Sequence, residues 1–283
     1  MNHSLETLAE GFVVLETPRW RADRLWMSDV FGKAVYTLSE NGERQMIAGV
    51  PNRPAGISTL PDGGVVVVSM ADRKLMRVGE GGTLSVYADL SSLVAHDLND
   101  TVCDSLGNIY VGNFGYDLFN HAGPGPAELV MVTPARGCEV VATGLEFPNG
   151  MVLTPDERTL IVAETFVGRL TAFDRAPDGR LSRRRVWAAC DERTPDGICL
   201  DAEGAVWMAS FLTGEFVRVR EGGEVTDVIL APGKRAMACT LGGADGRTLF
   251  CMTFEGTLED IIAGRKQARV EVCRVEVPGS GSP

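Results

Sequence analysis

The chain has 283 residues, of which 45% are hydrophobic and 23% charged, the composition of a globular protein with a sizeable core. Its formal net charge of −11 predicts that it binds neither nucleic acid nor anionic membrane surfaces, because phosphate groups repel an acidic protein. No apolar run approaches the roughly 18 residues of a membrane-spanning helix.

The N-terminus and the cysteines both predict a cytoplasmic protein. The first ten residues (MNHSLETLAE) lack the basic and apolar regions of a signal peptide. The seven cysteines are scattered and form no CxxC pair, and several lie in apolar, strand-like runs. This pattern is typical of reduced, buried thiols.

Short apolar segments bounded by glycine and aspartate run along the whole chain and indicate an all-β fold. One unit recurs six times: two apolar strands joined by a tight turn, then a third strand and usually a fourth. The turn residues that anchor the six copies are Asp23, Asp62, Leu106, Asp156, Glu203 and Asp245. They lie 39 to 50 residues apart, the length of one propeller blade. The sequence therefore predicts one domain over residues 1–283, a six-bladed β-propeller with four antiparallel strands per blade.

The third strand of each blade and the two ends of the chain can also be placed. The predicted third strands are Ala34–Leu38, Lys74–Val78, Glu128–Val132, Arg169–Phe173, Glu215–Val219 and Val270–Val275. A propeller ring closes when a strand from one end completes the blade at the other, and Phe12–Leu15 is the candidate for that strand. The Gly, Ser and Pro-rich residues 277–283 predict a flexible tail.

The innermost strands of a propeller begin around one central channel, so equivalent positions of the six repeats meet at its axis. Seven residues before each turn anchor stand Glu16, Ala55, Asn99, Asn149, Asp196 and Ala238. Burying two carboxylates without a cation is costly. Together with two amide oxygens they suit a hard divalent cation such as Ca²⁺. In the alternative interpretation, the Asn-Gly and Asp-Gly pairs form turns and Glu16 is a surface acid.

The second strand of each blade returns toward the face where the first strand begins, so its end is expected to surround the same channel mouth. Val30, Met70, Phe114, Phe166, Phe211 and Phe254 stand at that position. As a rim they favour an aromatic or alkyl substrate. Alternatively, they pack between the blades.

A long insertion, residues 115–127 (GYDLFNHAGPGPA), accounts for the widest spacing between repeats. A long loop on a rigid scaffold is a frequent location of substrate specificity. We therefore expect His121 in this loop to contact the substrate, where it could act as a proton shuttle. Alternatively, His121 is a solvated surface histidine that does not contact the substrate.

Four segments carry a resemblance to a known family: Glu16-Thr17-Pro18-Arg19-Trp20, Leu98-Asn99-Asp100, Phe147-Pro148-Asn149-Gly150-Met151 and Pro195-Asp196-Gly197-Ile198. In these motifs, and over essentially the whole chain, the sequence resembles the SMP-30/gluconolactonase/LRE-like family of six-bladed propellers. The resemblance implies a central divalent metal, Ca²⁺ being favoured and Zn²⁺, Mn²⁺ or Mg²⁺ the alternatives. It implies that Glu16, Asn149 and Asp196 are metal ligands. It further implies that Asn99 is a metal ligand or a substrate contact, and that Asp196 also acts as the general base.

One departure from the family concerns the Asn-Asp pair. Members that hydrolyse sugar lactones commonly carry Arg two residues before this Asn, where this chain has Asp97, preceded by His96. We expect both side chains to face the substrate, and Asp97 to disfavour gluconolactone-like and carboxylate-bearing substrates. Alternatively, Asp97 is a solvated or turn-capping acid.

The resulting hypothesis is a metal-dependent hydrolase, a gluconolactonase-like lactonase or esterase acting on a small lactone. Two alternatives use the same site, a lyase or isomerase that stabilises an enolate and an organophosphate hydrolase. A third is a non-catalytic binding module with a structural ion. The expected partner is a small-molecule substrate, and the expected state is a monomer or weak homo-oligomer.

Overall fold

The computed structural model describes residues 4–120 and 122–281. It contains six antiparallel sheets of four strands each, which form a six-bladed β-propeller and confirm the predicted fold. Almost all of the regular structure is β, with one short helix, α1 (Leu258–Ile262), in the described part of the chain.

The strands follow the chain around the ring, blade by blade. The first is β1 (Glu6–Phe12), and blade 1 consists of β2 (Leu15–Arg21), β3 (Arg24–Asp29), β4 (Ala34–Leu38) and β5 (Arg44–Gly49). Blade 2 consists of β6 (Pro54–Thr59), β7 (Val65–Ser69), β8 (Lys74–Val78) and β9 (Leu84–Asp89). Blade 3 consists of β10 (Leu98–Cys103), β11 (Ile109–Asn113), β12 (Ala127–Val132) and β13 (Cys138–Leu145). Blade 4 consists of β14 (Pro148–Leu153), β15 (Thr159–Glu164), β16 (Arg169–Arg175) and β17 (Leu181–Ala189). Blade 5 consists of β18 (Pro195–Leu200), β19 (Val206–Ser210), β20 (Glu215–Val219) and β21 (Val225–Leu230). The last three strands are β22 (Arg235–Gly242), β23 (Thr248–Phe254) and β24 (Ala268–Arg274).

The ring is closed by an N-terminal strand, as predicted, but by earlier residues. Strand β1 pairs antiparallel with β24 and so becomes the fourth, outermost strand of blade 6. The predicted closing segment, Phe12–Leu15, instead connects β1 to the innermost strand of blade 1. Its apolar side chains are almost fully buried there, which explains why the segment has the composition of a core strand.

Apolar side chains hold the blades together, and polar ones cover the outer edges. Strands β7, β11 and β14 are buried along their whole length, as expected for strands packed on both faces. The outermost strands are partly or largely exposed to solvent, and β17 exposes Arg183, Arg184 and Arg185. Charged residues on an edge strand disfavour pairing with another chain.

The C-terminal segment differs from the predicted flexible tail in its described part. Gly279 forms an isolated bridge with Asp201, and the backbone N–H of Ala202 donates to the carbonyl of Pro278. The N–H of Ser280 donates to the carbonyl of Leu200. These backbone hydrogen bonds attach the segment to blade 5.

Two further sequence predictions can be compared with the described residues. Cys190, Cys199, Cys239 and Cys251 are buried, as predicted. Within residues 4–120 and 122–281, no helix has the length and apolar character needed to cross a membrane.

Candidate metal centre and active site

The two innermost strands of every blade are paired irregularly where the sequence predicts the channel-facing ring. The register shifts occur at Glu16–Arg19, Pro54–Ile57, Leu98–Thr101, Pro148–Met151, Pro195–Ile198 and Ala236–Ala238. Such bulges interrupt the hydrogen-bond ladder and re-aim a side chain, and they are frequent next to active sites. The six irregularities therefore turn one position per blade toward the channel.

Glycines after the ring residues allow these inner strands to approach one another. A Cβ on Gly150 would lie 2.6 Å from the backbone nitrogen of Ile198, and one on Gly197 would lie 2.3 Å from the Cβ of Ala238. Both glycines lie inside strands, β14 and β18. The alternative interpretation of these Asn-Gly and Asp-Gly pairs as turns is therefore wrong.

The ring residues line the floor of one cavity of about 200 Å³ at the mouth of the channel. Glu16, Ala55, Asn99, Asn149 and Asp196 all border it, as their common register predicts. In blade 6 the cavity is lined by Met237 instead of the predicted Ala238. The bulge in β22 falls between Ala236 and Ala238, and a one-residue shift moves a side chain to the opposite face of a strand.

Burying the two carboxylates of the floor in their charged forms costs free energy. Burial, followed by the negative charges of Asp196 and Asp100, raises the pKa of Glu16 well above its ordinary value. Burial also raises the pKa of Asp196 well above its ordinary value, and the Asn149 amide offsets only part of this. The Oδ1 atom of Asp196 is buried without a hydrogen-bond partner. Such an oxygen needs a hydrogen-bond donor, a proton of its own or a cation.

The two amides are oriented by their nitrogens. The Nδ2 of Asn99 donates to the carbonyl of Pro148 at 3.2 Å, and the Nδ2 of Asn149 donates to Oγ1 of Thr165 at 3.2 Å. Because both nitrogens are engaged, the amide oxygens remain available as ligands. Among the described residues, no group of three or more His, Cys, Asp or Glu side chains is arranged to hold a metal. A metal at this floor therefore depends on the amides as well as on Glu16 and Asp196.

An ion pair next to the floor completes its charge balance. The guanidinium of Arg19 contacts Oδ1 of Asp100 at 2.9 Å, and both side chains are buried. The carboxylates of Glu16, Asp100 and Asp196 interact with one another, and the ion pair with Arg19 compensates one of the three charges when all are ionised, which leaves two negative charges. The donor set and its charge thus fit a divalent ion with oxygen ligands. Sequence analysis found the Asn-Asp pair but not the partnership of Asp100 with Arg19, which joins two blades.

An aromatic wall rises from the floor on one side of the cavity. The rings of Phe114 and Phe147 stack at 4.5 Å, Phe147 contacts Phe166 at 4.8 Å, and Phe119 contacts Phe31 at 5.6 Å between centroids. All five line the cavity. Phe147 reaches this position with a left-handed backbone (φ 52°), which is costly for a bulky residue and typical of a functional site.

Five of the six predicted rim residues line this cavity: Val30, Met70, Phe114, Phe166 and Phe211. The sixth, Phe254, does not. It is fully buried and belongs to a core cluster that also contains side chains of blades 1, 2 and 3, which agrees with the alternative of packing between the blades. The residue at the end of the second strand thus lines the cavity in five blades and is buried in the core in blade 6.

His96 and Asp97 do not line the cavity that contains the ring. They border a neighbouring recess of about 300 Å³, which shares Phe114 and Phe119 with the cavity. Arg53 forms an ion pair with Asp97, and its guanidinium lies 4.4 Å from the centre of the Phe119 ring. The contact of Asp97 with a substrate stays a prediction, and the structure adds that its carboxylate is paired with Arg53. His121 lies outside the described residues.

Sequence analysis missed one element of the site, the helix α1. It follows β23 and begins with a capping box in which Thr257 and Asp260 exchange hydrogen bonds. Leu258 and Ile261 line the cavity from this helix. The Thr-Leu-Glu-Asp sequence is a helix-start signal that could have indicated it.

Blade 4 is anchored behind the site by a buried carboxylate, Glu164. Its oxygens accept hydrogen bonds from Arg169 at 2.9 and 3.0 Å, from Arg184, from Thr171 and from the backbone N–H of Glu146. Burial by itself would raise the pKa of Glu164, but these hydrogen bonds outweigh it and lower the pKa below its ordinary value of 4.5. Glu164 directly precedes Thr165 and Phe166, so it fixes the strand end that supplies both.

Replacing Glu164 with glutamine should make the protein less stable at neutral pH by about 3 kcal/mol, since it breaks a buried charge pair. Because the folded pKa is lowered, this contribution is fully present above about pH 4.5 and is lost as the pH falls through the folded value. Urea unfolding at a series of pH values should therefore show the wild type and Glu164→Gln converging in acid. A difference that stays constant with pH would contradict this assignment.

Comparison with known proteins connects this geometry to a family. Residues 10–255 match the SMP-30/Gluconolactonase/LRE-like region. The chain belongs to this family. The 6-deoxy-6-sulfogluconolactonase of Pseudomonas putida is 24% identical, over 100% of this chain and 99% of that protein.

Two solved structures have the same fold as this chain. A luciferin-regenerating enzyme superposes with a TM-score of 0.85 and 18% identity, over 98% of this chain and 97% of that chain. Regucalcin of Agrobacterium tumefaciens, described as a calcium-binding protein, superposes with a TM-score of 0.83 and 20% identity, over 98% and 95%. Proteins with this architecture thus include enzymes and a calcium-binding protein.

Proposed function

We propose that this protein is a metal-dependent hydrolase that opens small lactones. The observation that carries the proposal is the floor of the cavity, where a buried, unpartnered oxygen of Asp196 converges with Glu16, Asn99 and Asn149. The family match and the P. putida sulfogluconolactonase support lactones as the substrate class.

The four floor residues are the proposed metal ligands. Carboxylate and amide oxygens without histidine or cysteine favour Ca²⁺, with Mg²⁺, Mn²⁺ and Zn²⁺ as alternatives. The calcium-binding regucalcin with the same fold is consistent with this preference. When bound, such a cation acts as a Lewis acid on a carbonyl oxygen and makes water more acidic.

The chain's own residues supply the remaining chemistry. Asp196 is the proposed general base, because its unpartnered Oδ1 can accept the proton of a water that attacks the lactone carbonyl. Thr165, which accepts a hydrogen bond from Asn149, holds that amide in place. The aromatic wall excludes bulk water and thereby strengthens electrostatic interactions in the cavity. Addition of water and cleavage of the ring C–O bond then yield a hydroxycarboxylate.

The test is a lactone screen with purified protein of known metal content, followed by pH-stat titration of the acid released. We expect about one divalent ion per chain, turnover that disappears with a chelator, and recovery when one equivalent of the ion returns. Product analysis distinguishes a hydroxy acid from the unsaturated product of a lyase. Turnover that persists without any metal, or no turnover of any lactone, would refute the proposal.

A further inference from the structure

Large apolar side chains are exposed together at the mouth of the cavity. Phe166, Leu212 and Leu258 are 46%, 58% and 50% exposed, and each also lines the cavity. Ile262, one helical turn after Leu258 on α1, is 53% exposed. Such side chains come from blades 4 and 5 and from α1, so their convergence is a property of the fold. Clustered apolar exposure of this kind marks a binding surface.

The cavity beneath this mouth is small. Its volume is about 200 Å³. Most ligand pockets enclose roughly 300–1,000 Å³. There is room for a lactone ring over the floor, but a substituent on that ring has to continue outward. The first side chains it meets are the apolar ones at the mouth.

The walls of the cavity offer few hydrogen-bond partners to a polyhydroxylated ring. The polar lining residues are Glu16, Asn99, Asn149, Thr165 and Asp196, and all other lining residues are apolar. None of the lining residues in the described part of the chain is a lysine, an arginine or a histidine. Sugar hydroxyls placed against phenylalanine, leucine and methionine would lose their hydrogen bonds to water without replacement.

Two arginines lie against the outside of lining residues. Arg235, whose guanidinium is 4.9 Å from the centre of the Phe211 ring, donates from Nε to the carbonyl of Gly256. Arg53 borders the neighbouring recess, and its guanidinium lies 4.4 Å from the centre of the Phe119 ring. Its charge is already neutralised by Asp97. An anionic or polyol substituent therefore finds no free cation from this side.

We infer that the site accepts lactones with an alkyl or aryl substituent, and that Phe166, Leu212 and Leu258 form a subsite for this substituent. The inference rests on the proposed lactonase function. The reaction is unchanged: water adds to the carbonyl carbon, the ring C–O bond breaks, and the ring oxygen leaves as an alcohol that takes up a proton.

The experiment measures kcat/KM for a series of γ-lactones with γ-alkyl groups of increasing length, together with gluconolactone. Burial of a methylene is worth up to about fourfold, so we expect an increase of about two- to fourfold for each of the first few carbons. Phe166→Ala and Leu212→Ala should each lower the ratio of long-chain to short-chain kcat/KM about tenfold. Leu106→Ala is the matched control, because Leu106 is 58% exposed in the β10–β11 turn and lines no part of the cavity; it should leave the ratio unchanged.

The outcomes separate this inference from the proposed function. Equal rates along the series, a preference for gluconolactone, or an unaltered ratio in both rim variants would overturn the subsite while the lactonase function stands. No turnover of any lactone would overturn both.

Discussion

Asp196→Asn is expected to lose the bound divalent ion and to lower kcat/KM for a lactone by at least about a thousandfold. The substitution removes a ligand and the proposed general base together, and loss of a positioned base alone typically costs 10²–10⁴-fold. The metal-free variant should nevertheless be more stable than the metal-free wild type, by about 1–3 kcal/mol, since a buried carboxylate oxygen without a partner is penalised.

Elemental analysis, lactone kinetics and thermal unfolding with and without metal test this prediction. The wild type should be stabilised by added metal, and Asp196→Asn should not. Asn149→Ala should also weaken metal binding, because it removes an amide ligand. Unlike Asp196→Asn, it leaves the proposed general base in place. Asp62→Asn is the control, an exposed acid paired with Arg77 in the turn of blade 2. Unchanged metal content and rate in Asp196→Asn would contradict the assignment.

Asp104→Ala is expected to lower the free energy of unfolding by about 3–5 kcal/mol. Asp104 is fully buried and pairs with Arg175, which reaches it from blade 4. The same carboxylate accepts hydrogen bonds from the backbone N–H groups of Leu106 and Asn108. Removing it leaves the buried guanidinium of Arg175 with only the carboxylate of Glu157, 3.9 Å away, as a counter-charge.

Urea or thermal unfolding measures this effect, and Asp62→Ala provides the comparison. The side chains of the Asp62–Arg77 pair are 56% and 37% exposed, and exposed pairs contribute about 0–1 kcal/mol. Lactone turnover at a temperature well below unfolding should be retained in both variants, because neither acid lines the cavity. Equal losses of stability in the two variants would show that burial does not determine how much these ion pairs contribute to the free energy of unfolding.

Much of the site was predictable because a propeller repeats. Copies of one sequence unit occupy equivalent places around an axis, so a common register predicted that Glu16, Asn99, Asn149 and Asp196 would converge. The predicted third strands Ala34–Leu38, Lys74–Val78 and Glu215–Val219 coincide with β4, β8 and β20. Alternating side chains and tight turns are local properties, and local properties can be read from neighbouring residues.

Predictions that needed contacts between distant residues were less successful. The ring-closing strand was placed at Phe12–Leu15, the apolar segment that precedes the first hairpin. The outermost strand of a blade is partly exposed, and β1 is accordingly more polar. Asn149-Gly150 has the local signature of a turn, but Gly150 is required where two strands approach closely. The partner of Asp97, Arg53, lies 44 residues away in the sequence and was not predicted.

The six blades, their spacing and the ring of oxygen-bearing side chains could be predicted from the residues alone, since each follows from a pattern repeated along the chain. The other side chains that share the cavity with that ring were identified from the folded arrangement of the blades. Phe166 lines the mouth of the cavity while Phe254, at the equivalent position of blade 6, is buried in the core. In the part of the chain that the structure describes, helix α1 is peculiar to blade 6, and the bulge in β22 falls between Ala236 and Ala238, so that Met237 lines the cavity there in place of Ala238. A repeat predicts what its copies have in common, but the shape and polarity of a binding site depend on their differences and on the partners each side chain meets from other blades.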